Sequence, residues 1–154
     1  MKRIGPWPIV VGALVSLGLF TVEQAHSGQQ GGPTTCSLAT LKGLYMFAQS
    51  GWAVPAPNSS LVPEGVTGYD KFYGNGKFDS LATISLGGDI IPDVAAPGTN
   101  SLKSDCTGTL TVIMQPAAPD VHLDIFVAPD GDKYFTIQTD PGNVLSGTIQ
   151  RVAP

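Results

Sequence analysis

Val121-His122-Leu123-Asp124-Ile125-Phe126-Val127 alternates residue by residue between an apolar row and a mixed one. Val121, Leu123, Ile125 and Val127 share one face, while His122, Asp124 and Phe126 share the other. A period of two belongs to the β-strand, whose successive side chains point to opposite sides. Prolines at 116 and 119 precede the run, and Pro129-Asp130-Gly131 follows it. Pro presets φ and Gly accepts the left-handed position, so the second break reads as a tight turn.

The same punctuation recurs outward from this strand. Upstream, residues 107–115 alternate Leu110, Val112 and Met114 with threonines. Downstream, strands are expected over 134–139 and 144–151, separated by Asp140-Pro141-Gly142-Asn143. In the first half, strands are expected over 44–49, 66–73 and 78–86, the last two joined by Gly74-Asn75-Gly76, a strong hairpin turn. A short strand over 89–91 should end at Pro92. Residues 93–98 read as a loop and 99–103 as an edge. The 44–49 strand is apolar on both faces, which predicts cover on both sides. Residues 52–65, with three prolines, read as a long loop, and 37–41 as one helical turn. Alternation broken every eight to twelve residues predicts an all-β, single-domain, antiparallel β-barrel of about eight strands. Closure removes exposed strand edges; a two-sheet β-sandwich satisfies the same pattern.

The N-terminus follows a different rule. Lys2 and Arg3, an apolar run over 9–20 and Ala25-His26-Ser27 have the order of a secretory signal peptide. Cleavage after Ser27 is expected, with Ala25 as second choice. The apolar run is shorter than the roughly 20 residues of a spanning helix, although an uncleaved anchor is the rival reading. The expected organisation is a signal peptide over 1–27, a leader over 28–35 and a barrel over 36–154. In an exported protein Cys36 and Cys106 are expected to form a disulfide. The 154-residue chain carries a formal net charge of −4. Lys42, Lys71, Lys77, Lys103, Lys133 and Arg151 are scattered singly. Nucleic acid and anionic membrane surfaces are not expected partners, since both need concentrated positive charge.

Cys36-Ser37-Leu38-Ala39-Thr40-Leu41-Lys42-Gly43-Leu44-Tyr45, Gly74-Asn75-Gly76-Lys77-Phe78, Asp105-Cys106-Thr107-Gly108-Thr109-Leu110, and Ile137-Gln138-Thr139-Asp140-Pro141-Gly142 followed by Ser146-Gly147-Thr148 stand in a defined order. In these segments the chain resembles a group of small exported bacterial proteins of uncharacterised function. The resemblance spans most of 36–151. It implies a small antiparallel barrel, distantly similar in architecture to the allene oxide cyclase and dirigent barrels, located in the periplasm or secreted. No cyclase motif transfers residue by residue, and fold does not imply function.

Few constellations point to chemistry. His122 and Asp124 project from the same strand face about 7 Å apart. Within a lumen they would form a base and its orienting acid; a solvated strand face is the expectation, because Leu123 and Ile125 fill the opposite, apolar side. Trp52, Tyr69, Tyr73 and Tyr134 are candidates for stacking on a small apolar or aromatic ligand. Asp130 and Asp132 flank Gly131 but read as a plain turn rather than a calcium loop, so no metal is expected. No nucleophile elbow surrounds a serine, and no glycine-rich stretch ends in Lys-Ser/Thr, so no cofactor is expected. The expected function is non-catalytic binding of a small, partly apolar ligand or of a surface partner. The alternative is a cyclase- or isomerase-like enzyme working within the barrel pocket.

Overall fold

The structure, a computed structural model, describes residues 35–56, 58–114, 116 and 118–154. The expected signal peptide and all of the leader except Thr35 lie outside the described residues. Among those described, eight strands form a closed barrel in which each strand pairs antiparallel with its neighbour in sequence. They are β1 (Lys42–Ala53), β2 (Val62–Tyr73), β3 (Lys77–Leu86), β4 (Asp89–Leu102), β5 (Thr107–Val112), β6 (Val121–Val127), β7 (Lys133–Gln138) and β8 (Val144–Ala153). β8 returns antiparallel to β1 and closes the wall. No sandwich forms.

The alternation read from the sequence sets the inward rows. In β6, Leu123, Ile125 and Val127 are buried and the residues between them are exposed. β1 sends Tyr45 and Phe47 inward, but Met46 on its other face is 57% exposed. The outer face expected to be covered is therefore bare. A meander of eight strands has one interior, and among the described residues Met46 and Trp52 on the outside of β1 stay exposed.

Two other expectations change. The 52–65 loop shrinks to 54–61, because Trp52 pairs with Pro63 and Gly51 with Glu64. Residues 89–103, expected as a short strand, a loop and an edge, form the single strand β4. Its register against β3 shifts between Ala82/Ile84 and Val94/Ile91, which leaves Pro92 and Asp93 unpaired. Asp93 takes a φ of +55° there, so an irregularity of the bulge kind absorbs the proline. Pro97 accepts the Ile113 N–H at 2.9 Å. Its missing donor thus faces the β5 side, where regular pairing stops at Gly98.

One end of the barrel is sealed. The expected helical turn is a 3-10 turn over Leu38–Thr40, closed by the Ser37 N–H donating to Thr40 Oγ1 at 3.0 Å. It leads to Leu41, which is fully buried. Cys36 and Cys106 form the expected disulfide, with Cα atoms 5.1 Å apart across 70 residues of sequence. It ties the segment before β1 to the β4–β5 turn, where the Cys36 N–H also donates to Ser104 O at 3.2 Å. Closing so long a loop restricts the unfolded chain by about 4 kcal/mol in the entropic account. Replacing both cysteines by alanine is therefore expected to lower unfolding free energy by about 2–5 kcal/mol. Urea denaturation of both forms checks this, and equal midpoints would count against it.

Candidate functional site

The inward side chains are aromatic at one end of the barrel, and small along part of the β2–β3–β4 wall beyond it. Towards the sealed end, Tyr45, Phe72, Phe78 and Tyr134 form a ring cluster. Phe72 stacks on Phe78 at 4.9 Å between centroids, and Tyr45 meets Phe72 edge-on at 5.3 Å. Gly98 lies beneath the Phe78 ring, and a Cβ there would collide with it. Farther along, the walls carry Val66, Ala82, Val94 and Ala96, which are too short to meet across the lumen. A cavity of about 110 Å³ remains. It runs from Asp70 and Tyr134 at its floor to Glu64, Met114 and Gln138 near the opposite end.

The floor holds a carboxyl group. Asp70 is only 6% exposed. Tyr134 Oη donates to its Oδ2 at 3.1 Å, and the Ser80 side chain also hydrogen-bonds to it. Burial pushes the Asp70 carboxyl up to about 6, against the opposing pull of the Ser80 and Tyr134 bonds. Burial, and then the nearby Asp70 charge, drive the Tyr134 phenol far above its ordinary value. Tyr134 therefore stays a neutral donor. Higher in the lumen, Gln49 Nε2 donates to Thr136 Oγ1 at 2.7 Å. Burial also raises Glu64, whose Oε2 is enclosed without a hydrogen-bond partner. No Lys, Arg or His is among the described residues that line the cavity.

Arg151 sits at the sealed end and is taken up by structure. Its Nη2 donates to Tyr45 Oη, Thr40 O and Gly131 O at 2.9, 3.0 and 3.0 Å. Tyr45 Oη in turn donates to Gly131 O at 2.6 Å. Asp132 lies 3.4 Å from Arg151 Nη1, and Asp130 accepts the Asp132 N–H at 3.0 Å. The two aspartates thus serve the β6–β7 turn and its brace.

The residues singled out from sequence separate by strand parity. Tyr134 faces the lumen. Trp52, Tyr69 and Tyr73 are exposed on the outer wall, at 52%, 40% and 44%. Trp52 shares its face with Met46, and Tyr69 lies across from Met46 in the β1–β2 pairing. Tyr73 Oη donates to Asp79 Oδ2 at 2.5 Å. His122 and Asp124 also face outward. His122 Nδ1 is 2.8 Å from Asp140 Oδ1, and the His122 N–H donates to Asp140 Oδ2 at 2.9 Å. Burial alone would raise the Asp140 carboxyl, but bonds from His122 and Gln138 hold it low. The pair His122–Asp140 pins the β7–β8 turn to the start of β6. Asp70 was not singled out. Its signal was present in parity: Val66, Gly68, Asp70 and Phe72 form one row, and an acid in a buried row needs a reason.

Compared with known protein families, with curated proteins and with solved structures, the chain matches none.

A carboxyl whose folded value exceeds its unfolded one holds its proton more tightly when folded. Ionising Asp70 therefore opposes folding. The penalty is absent well below 3.8, grows as pH rises through 6, and reaches about 3 kcal/mol. Asp70→Asn is expected to gain stability relative to the native chain as pH rises across that window. Chemical denaturation over the range checks this; the low-lying Asp105 and Asp140 act in the opposite sense but cancel in the comparison. A stability difference that stays flat with pH would contradict it.

Proposed function

We propose that this protein is exported and that its lumen binds a small, partly apolar molecule without transforming it. The cavity carries the reading. It is mostly apolar, closed below by aromatic rings, and provided with a few polar groups, which is the usual make-up of a ligand site. Its 110 Å³ is near the roughly 150 Å³ of an engineered cavity that admits benzene. One ring or a short branched chain fits such a volume. Export is supported by the N-terminal charge–apolar–small pattern and by the Cys36–Cys106 disulfide, a bond at home in oxidising compartments. The resemblance to small exported bacterial proteins points the same way, while the architectural likeness to allene oxide cyclases bears on the second reading. Among the described residues no helix is long and apolar enough to cross a membrane.

One observation favours the second reading, a cyclase- or isomerase-like enzyme. Asp70 and Tyr134 place a carboxyl beside a phenol within the cavity, a pair able to move a proton. His122 and Asp124 lend it no support from the outer wall.

Thermal shift against a panel of one-ring and short-chain compounds tests the proposal. A ligand at a hundred times its Kd adds about 2.7 kcal/mol of stability, which reads as a rise of several degrees. Ala82→Phe fills the cavity and is expected to abolish the rise while far-UV circular dichroism stays native. Retention of the rise in that folded variant would overturn lumen binding. Recovery of the compound chemically altered would favour the enzyme instead.

A further inference from the structure

The cavity is one-sided in charge. Four of its donors are turned onto the protein. Tyr134 Oη and Ser80 serve Asp70, Gln49 Nε2 serves Thr136, and Gln138 Nε2 donates to Asp140 Oδ2 at 3.0 Å. Acceptors remain: Asp70 at the floor and the enclosed, unpartnered Oε2 of Glu64. The titratable groups lining the cavity are Asp70 and Glu64 from β2 and Tyr134 from β7, and no described cation is among them. A group that meets either carboxyl must therefore bring the donor. A neutral hydroxyl could fill one acceptor but would leave a buried carboxylate without a countercharge, which is expensive in an apolar interior. A carboxylate occupant would add repulsion to that penalty.

We propose that the lumen selects a small amine with an apolar body, its ammonium bound at the Asp70 carboxylate and its hydrocarbon against Phe47, Leu110 and Leu123. This rests on the lumen reading above. Six residues along β2 separate Asp70 from Glu64, or ~20 Å at the rise of a strand. One small amine does not bridge them. Asp70 holds the ammonium, and Glu64 draws cations toward the entrance. Tyr134, kept neutral by its burial, fixes the Asp70 carboxylate and leaves its remaining lone pairs for the ligand.

Isothermal titration of the oxidised protein with benzylamine, benzyl alcohol and benzoate separates the cases. Isobutylamine, isobutanol and isobutyrate serve as a smaller set. At about pH 8 each amine is expected to bind tighter than its alcohol by about tenfold or more, with no binding of the acids. The margin should shrink as pH falls below about 6 and Asp70 takes its proton. Asp70→Asn should bring amine and alcohol to parity while leaving alcohol affinity unchanged. Glu64→Gln should keep the equilibrium preference and slow amine association. Equal affinities for amine and alcohol in the native protein, preference for the acid, or a preference that survives both low pH and Asp70→Asn would overturn the proposal. Alcohol binding without amine preference sinks only the amine site; failure of every probe sinks lumen binding as well.

Discussion

The barrel depends on the seam between β1 and β8. Seven of the eight strand pairings join neighbours in sequence, and local turns can build them one after another. The eighth joins the first strand to the last. It runs from Leu44/Ala153 to Trp52/Val144 and removes the two edges an open sheet would expose. Glycine makes the close approach there feasible. A Cβ on Gly51 would strike the Val144 carbonyl, and one on Gly147 would strike the Ala48 carbonyl. Arg151 and Tyr45, one from each seam strand, then meet beneath it and share the Gly131 carbonyl. The seam thus supplies both the closure and the brace that seals the floor.

Much of this was legible in the sequence, because parity is a local signal. The inward row of β6 could be read from seven residues, and the Gly74-Asn75-Gly76 turn from three. What escaped depends on neighbours. Pro92 and Pro97 look like strand breakers on their own, yet β4 runs through both because β5 is short and its regular pairing ends at Gly98. The loop after Trp52 looked long because Pro63 and Gly65 carry no strand propensity; the pairing of β2 with β1 overrides them. The apolar outer face of β1 misled for the converse reason. Hydrophobicity on both faces argues for cover, but the eight strands of the barrel enclose only the inner one.

The site was harder to read than the fold. Aromatic residues were chosen by type, and parity then divided them: Tyr134 inward, Trp52, Tyr69 and Tyr73 outward. The spacing of His122 and Asp124 cannot by itself say whether the mixed face looks into the lumen or out. Their apolar neighbours Leu123 and Ile125 held the answer, since a closed barrel buries its apolar row. The same logic applied to β2 would have exposed Asp70, which interrupts the row that holds Val66 and Phe72. A buried acid among apolar neighbours is a stronger pointer to a site than an exposed tyrosine.

The taper of the lumen connects these points. Four aromatic rings fill the sealed half, and fully burying a side chain of that size contributes about 1.5–3 kcal/mol. That half can therefore stabilise the fold while the other half leaves space unfilled by Ala82 and Ala96. Asp70 lies at the boundary between the two. Ser80 and Tyr134 are both turned toward its carboxyl, and Tyr134 is itself one of the four rings. The aromatic floor is therefore more than packing: it holds the phenol that orients the one deeply buried acid of the cavity wall. An apolar residue at position 70 would have sufficed for a filled core. An acid there, with a phenol aimed at it and space above it, is more than packing requires.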